Sequence, residues 1–141
     1  MPVRFAVPAD APALLKLNTA FNGPGPSDVS HIQRSLNENP QEIVCVAELS
    51  GEVVGFCCAQ VISSFCYASK SGEITELYVE PHARRMGLAS ALIRFAEREL
   101  IHRGVTELKL LTGDDNFPAQ ALYESLGYEK DGEVHYAKDA E

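Results

Sequence analysis

ELYVEPHARRMGLASALI, Glu76 to Ile93, reads as the end of a strand, a turn and the start of a helix. Leu77, Tyr78 and Val79 belong to the strand-like run, and Pro81 breaks it. Arg84-Arg85-Met86-Gly87-Leu88-Ala89 then leads into a helix in which Leu88, Ala91, Leu92, Phe95, Ala96 and Leu100 recur at helical spacing. The first turn of a helix carries unpaired backbone N–H groups and a partial positive charge. Gly87 lets the backbone come close to a ligand, and the small Ala89 leaves room for one. Two arginines add local positive charge, so the turn suits an anion such as a pyrophosphate. It is not a Walker loop, because no Gly-Lys-Ser/Thr follows. It is not a dinucleotide fingerprint either, since only one of the three glycines is present.

On the N-terminal side of this stretch, Val3 to Val7 reads as a strand, and Asp10 with Pro12 reads as the capped start of a helix carrying Leu14, Leu15 and Leu17 through Phe21. FNGPGPS, Phe21 to Ser27, fits neither helix nor strand. Ser27 or Asp28 can cap a second short helix holding Ile32 and Leu36. Ile43–Leu49 and Val53–Ile62 form a hairpin about Ser50-Gly51, and Glu73–Val79 is the strand before the opening motif. On the C-terminal side the helix runs from about Gly87 to Arg103 and stops at Gly104. VTELKLLT is a further strand. NFPAQALYESLGY is a helix with Pro118 in its first turn, and a closing hairpin is expected around Asp131-Gly132. The order β-α-α-β-β-β-α-β-α-β-β predicts an α/β (α+β) fold with one central mixed, mostly antiparallel sheet flanked by helices.

The 141 residues suit a single domain, residues 1 to 141, and 45% hydrophobic content is ordinary for a chain that buries its own core. No apolar run is long enough to span a membrane and no apolar signal segment follows Met1, so the expected location is the cytoplasm, with no membrane partner. The net charge of −8 argues against nucleic acid as a partner and leans towards cationic small molecules or basic peptides. Cys45, Cys57, Cys58 and Cys66 show no C-x-x-C spacing and no histidine pair stands at ligand spacing, so no metal is expected. Cys45, Cys57 and Cys58 read as small buried hydrophobes.

Two stretches together resemble the GCN5-related N-acetyltransferase (GNAT) superfamily. ELYVEPHARRMGLASALI is similar to its coenzyme A motif, Arg/Gln-x-x-Gly-x-Gly/Ala after a strand, here carried by Arg84, Gly87 and Ala89. NFPAQALYESLGY is similar to its second motif, with Asn116 seven residues before Tyr123 and then Gly127-Tyr128. Ala89 stands where glycine is commoner. The resemblance covers nearly the whole chain and implies transfer of the acetyl group of acetyl-CoA directly to an amine, with no metal. It implies cofactor contacts from Leu77, Tyr78, Val79, Arg84, Arg85, Met86, Gly87, Leu88, Ala89 and Asn116.

Such chemistry has three requirements. An alkyl ammonium with a pKa near 10 is about 99.9% protonated at neutral pH, so a base must take its proton. The tetrahedral oxyanion needs a donor, which the family supplies from a backbone N–H near Val79. The departing thiolate benefits from a proton, a role the resemblance gives to Tyr123. Glu76 and Glu73 are the candidate bases, with Glu76 ranked first. An ideal strand would point them to opposite faces, and a bulge between them would break that rule. The resemblance builds the acceptor site from the first two helices and the last hairpin. A small polyamine-like or aminoglycoside-like amine is the first expectation. A protein N-terminus or lysine, and a non-catalytic acyl-CoA-binding regulator, are the alternatives. A homodimer stays open.

Overall fold

The computed structural model describes residues 2–140. The chain divides into two compact units, Met1–Leu111 and Thr112–Glu141. The first unit holds a five-stranded sheet whose spatial order follows the sequence: β1 (Val3–Phe5), β2 (Glu42–Leu49), β3 (Glu52–Ile62), β4 (Lys70–Val79) and β5 (Val105–Leu110). The strands from β1 to β4 run antiparallel to their neighbours, and β5 runs parallel to β4. A parallel neighbour needs a long crossover. Helix α3 (Leu88–His102) supplies it, whereas α1 (Ala11–Asn22) and α2 (Val29–Glu38) connect β1 to β2.

Local chemistry explains most boundaries. Ser50 and Gly51 both have positive φ, 52° and 79°, the two-residue turn whose twist matches its strands. The Asp28 carboxylate accepts the His31 N–H at 2.7 Å and caps α2, so Asp28 rather than Ser27 is the cap. Asp10 does not cap α1 with its side chain. Its two oxygens instead accept from both terminal nitrogens of Arg4, at 2.8 and 2.9 Å, and one also accepts the Val7 N–H at 2.8 Å. Two parallel charge-assisted bonds from one guanidinium outweigh a cap that water can replace.

The sheet has two covered faces. On one, Val46, Phe56 and Cys58 pack against Leu14 and Leu17 of α1, with Ile32 and Leu36 of α2 beside them. On the other lies α3, which buries Leu92, Ile93, Ala96 and Leu100. A Cβ at Gly72 would stand 3.0 Å from both terminal carbons of Leu100, so the absent side chain is what lets α3 sit this close. Cys45, Cys57 and Cys58 are buried thiols, as expected, and Cys66 is exposed.

The second unit contains α4 (Phe117–Ser125), started by Asn116 and Pro118 and followed by Gly127 at φ 95°. The expected closing hairpin is not formed: residues 129–139 carry no strand. The local turn survives, with Gly132 at φ 78° and the Asp131 carboxylate accepting the Glu133 N–H at 3.0 Å. Val134 and Tyr136 are 71% and 90% exposed, so the alternating side chains bury nothing, and a hairpin without a packed face is marginal in water.

Candidate active site

The middle of β4 carries a β-bulge. Cys58 pairs with Glu76, but the next residue, Ala59, pairs with Ile74, leaving Thr75 as the extra residue. Gln60 then pairs with Glu73. Cross-strand partners share a face, and Cys58 and Gln60 are two apart on regular β3, so Glu76 and Glu73 lie on the same face of the sheet. That face is the one under α1 and α2. The Asn22 side chain, at the end of α1, donates to the Glu76 carboxylate at 3.3 Å and to Asn18 at 2.7 Å.

The outer edge of β4 is open beside Glu76. The Glu80 N–H donates to the Val54 carbonyl at 2.8 Å, which makes that opposed pair a hydrogen-bonded one. Antiparallel alternation then turns the N–H and C=O of Val79 away from β3. β5 pairs with β4 only as far as Ile74 and Leu110, so the edge from Thr75 to Val79 is not laddered to another strand among the described residues. Because β5 ends at Leu110, the backbone amides on this edge beside Glu76 have no ladder partner among the described residues. The Val79 carbonyl is already engaged, accepting the Arg84 Nε–H at 2.8 Å.

Beyond Val79 the chain passes through a short 3-10 turn, Pro81–Ala83, into the Arg84–Ala89 segment. The Arg84 side chain folds back over the Tyr78 ring, its guanidinium carbon 5.7 Å from the centroid, so Arg84 braces the turn against the strand. Arg85 takes a left-handed conformation, φ 64°, and so does Gly87, φ 77°. Such residues turn backbone N–H groups toward a common concavity. Gly87 caps α3 and the first N–H groups of that helix follow it. A Cβ at Gly87 would meet nothing within 4 Å, which leaves open space above the helix terminus for a phosphate group. Met86 is 56% exposed beside it, and Leu88 faces the core. His82 pairs with Glu80 at 3.4 Å.

A cavity of about 250 Å³ opens between α1, α2 and the sheet. Leu14, Ile32, Val44 and Phe56 provide apolar wall, and Glu42 and Glu76 provide carboxylates. Burial pushes the Glu42 carboxyl above its usual range, the Cys58 thiol beside it opposes that shift, and the charge of Glu76 adds to it. Burial, with both carboxylates nearby, pushes the Cys58 thiol well up, so it is no nucleophile.

In the second unit, Asn116 accepts the Ala119 N–H at 3.3 Å and serves as the α4 cap. Tyr123 is half-buried, with its ring edge-on to Tyr128 at a centroid distance of 6.4 Å.

Thus the structure gathers Glu73, Glu76 and the Val79 edge around one strand and places the Arg84–Ala89 turn directly after it. Glu42 was missed by sequence reading. Strand alternation puts it on the same face as Val44, but nothing in the sequence shows that two other strands bring Glu76 to the same cavity.

A family model described as the acetyltransferase (GNAT) family matches residues 12–128. Acetyltransferase YE1169 of Yersinia enterocolitica is 36% identical over 107 residues, 76% of this chain and 71% of that protein. An aminoglycoside acetyltransferase from an uncultured soil metagenomic sample, meta-AAC0020, solved with trehalose, superposes with a TM-score of 0.85 at 21% identity, covering 99% of this chain and 95% of the other. AAC(6')-Iy, solved with the bisubstrate analogue CoA-S-monomethyl-acetylneamine, also reaches a TM-score of 0.85 at 21% identity, over 97% of this chain and 96% of its own. Both structures share the fold: a mostly antiparallel sheet, flanked by helices, that the element order had implied. On the family match and the Yersinia relative, the chain belongs to the acetyltransferase (GNAT) family.

Proposed function

We propose that this acetyltransferase moves the acetyl group of acetyl-CoA directly to the primary amine of a small cationic molecule. One observation carries the reading: the bulge at Thr75 sets Glu76 on the cavity face of β4 at the point where the edge of that strand loses its partner. A thioester lying along that edge would meet the Val79 N–H as an oxyanion donor, and an amine in the cavity would meet Glu76 as its proton acceptor. The left-handed Arg85 and Gly87 and the start of α3 suit the pyrophosphate, with Leu88 and Ala89 supplying N–H groups. Tyr123 is the proposed proton donor to the departing thiolate, and Asn116 a proposed coenzyme A contact. Glu73, on the same face, is the alternative base. The cofactor bound by the structural neighbour AAC(6')-Iy supports a coenzyme A substrate.

The family match spans both compact units, which supports reading them as one catalytic domain. Four free thiols, two of them cross-strand partners, fit a reducing compartment such as the cytoplasm. The test is a coenzyme A release assay with acetyl-CoA against a panel of small amines, aminoglycosides, lysine peptides and peptides with free N-termini. Release stimulated by small cationic amines is the expected result. Stimulation by peptides alone would move the assignment to protein acetylation. Tight coenzyme A binding with no acceptor-dependent release across the panel would argue for a regulator.

A further inference from the structure

We infer that Asn22, the last residue of α1, is a positioning residue that holds the Glu76 carboxylate in the orientation that receives the amine proton, with Asn18 fixing the Asn22 amide in turn. The inference rests on the proposed acetyl transfer and adds to it a residue that lies outside both sequence motifs.

Aromatic contacts fix where α1 ends. The centroid of the Phe21 ring lies 5.2 Å from that of Tyr78 and 6.2 Å, edge-on, from that of Phe56. Phe56 and Tyr78 are cross-strand partners, and Cys58 and Glu76 are the next pair on the same face of the sheet. Phe21 thus anchors the last turn of α1 beside the row that carries Glu76. Gly23, at φ 85°, ends the helix directly after Asn22. The Asn22 amide is therefore set down next to the Glu76 carboxylate, which it reaches at 3.3 Å.

The chemistry of the contact is directional. An ionised carboxylate only accepts hydrogen bonds, so the Asn22 amide turns its nitrogen toward Glu76. That nitrogen also donates to the Asn18 side-chain oxygen at 2.7 Å, one turn back on α1, so both bonds fit a single orientation of the amide. Among the described residues, Asn22 is the sole hydrogen-bond donor to the Glu76 carboxylate, which has no ion pair. The bond engages Oε1 and leaves Oε2 to accept the amine proton. The titratable groups that share the cavity with Glu76 are His31 of α2, Glu42 of β2 and Cys58 of β3, and Glu73 lies on the same face of β4. A neutral donor favours the charged, proton-accepting form of the base and fixes its direction. A cation in the same place would hold the carboxylate charged so strongly that it would be a poor base.

The experiment compares Asn22→Ala, Asn22→Asp, Asn18→Ala and the double variant Asn18→Ala/Asn22→Ala with the parent protein. Two readouts are taken: pH–rate profiles with the best acceptor of the coenzyme A release panel, and an NMR titration of the glutamate side-chain carboxyl carbons in the free protein. The Glu76 resonance is the one that Glu76→Gln removes. Asn22 is exposed, so its variants leave the core intact, and thermal melts confirm that each protein is folded. Asn22→Ala should lower kcat by about 2–10-fold, the worth of a typical hydrogen bond, with the acetyl-CoA KM unchanged. The acid limb of its profile and the Glu76 titration should both move to higher pH, because the charged carboxylate has lost its donor. Asn22→Asp is nearly isosteric and sets a second carboxylate against Glu76. It should move both readouts further the same way, with a defect deepest in acid that shrinks as pH rises. Asn18→Ala should act in the same direction but less, and should add nothing in the Asn22→Ala background. A Glu76 titration and a pH profile unmoved in both Asn22 variants, whatever happens to kcat, would overturn the inference and leave acetyl transfer standing. So would an Asn18→Ala loss that adds in full to that of Asn22→Ala. A parent protein that acetylates no amine in the panel would remove the proposed function, and with it the catalytic use of this contact, even where the Glu76 titration still moves.

Discussion

Glu73 and Glu76 share one face of β4, although three residues apart on a regular strand they would oppose each other, because Thr75 is an extra residue in the ladder to β3. The two carboxylates therefore differ in position along the face rather than in side. Glu76 lines the cavity and is bonded to Asn22. Glu76→Gln should lower kcat by about 10²–10⁴-fold near neutrality, with the defect narrowing at high pH as more amine arrives deprotonated. Coenzyme A affinity should stay almost unchanged. Glu73→Gln should fall far less in the same pH–rate series. The reverse pattern would make Glu73 the base.

Thr75 itself offers a separate check on the bulge. Its hydroxyl oxygen is buried and has no hydrogen-bond partner. Thr75→Val keeps the β-branched shape and removes an unmet polar group, so it should leave the melting temperature unchanged or raise it. A loss of more than about 1 kcal/mol would mean that the hydroxyl is bonded in solution.

At the helix terminus, Gly87 is required by its conformation rather than by crowding. Its φ is 77°, and an added Cβ meets nothing within 4 Å. Gly87→Ala should therefore cost about 1–2 kcal/mol of stability through the left-handed penalty alone. Gly87→Glu adds a negative charge where the phosphates are proposed to lie and should weaken coenzyme A binding by at least about 10-fold, measured by calorimetry. If Gly87→Glu binds coenzyme A like the parent, the anion site lies elsewhere.

Tyr123→Phe preserves the edge-on ring contact with Tyr128 and removes only the hydroxyl. As the proposed acid it should reduce kcat by about 10²-fold or more, with little change in the acetyl-CoA KM, because the lost interaction belongs to the transition state. An unaltered kcat would leave Tyr123 as a packing residue.

What could be read from the sequence was what local chemistry decides. Ser50-Gly51 specifies its turn from two residues, Gly104 ends α3, and the spacing of Leu88, Leu92, Ala96 and Leu100 fixes which side of that helix is buried. The Arg84–Ala89 turn was legible for the same reason. The bulge was visible only as a condition, since whether Thr75 or Ile74 pairs with Ala59 depends on β3, not on β4. Glu42 was invisible as a cavity residue because its role depends on where α1 and α2 settle. The closing hairpin failed in the opposite way. Its alternation and its Asp131-Gly132 turn are real signals, but alternation makes strands only where one side of them is covered, and Val134 and Tyr136 are not.

Two carboxylates should reveal themselves by opposite pH signatures in stability. Asp10 is held below its usual range, first by the hydrogen bonds from Arg4. Its stabilisation is therefore present above the ordinary aspartate range and is lost as pH falls through the lowered folded value. Asp10→Asn should cost about 1.5–3 kcal/mol near neutrality, the worth of hydrogen bonds to a charged group, with the deficit closing in acid. Glu42 is shifted the other way, mainly by burial. The fold favours its protonated form, so its contribution is fully present below the ordinary glutamate range and is lost as pH rises through the raised folded value. Glu42→Gln should then melt higher than the parent protein near neutrality, and the two should converge as pH falls toward the ordinary glutamate range. Melting curves of the three proteins across this range read both signs in one experiment. If Glu42→Gln is less stable than the parent at neutral pH, the Cys58 hydrogen bond and the nearby His31 favour the ionised carboxylate more than its burial penalises it.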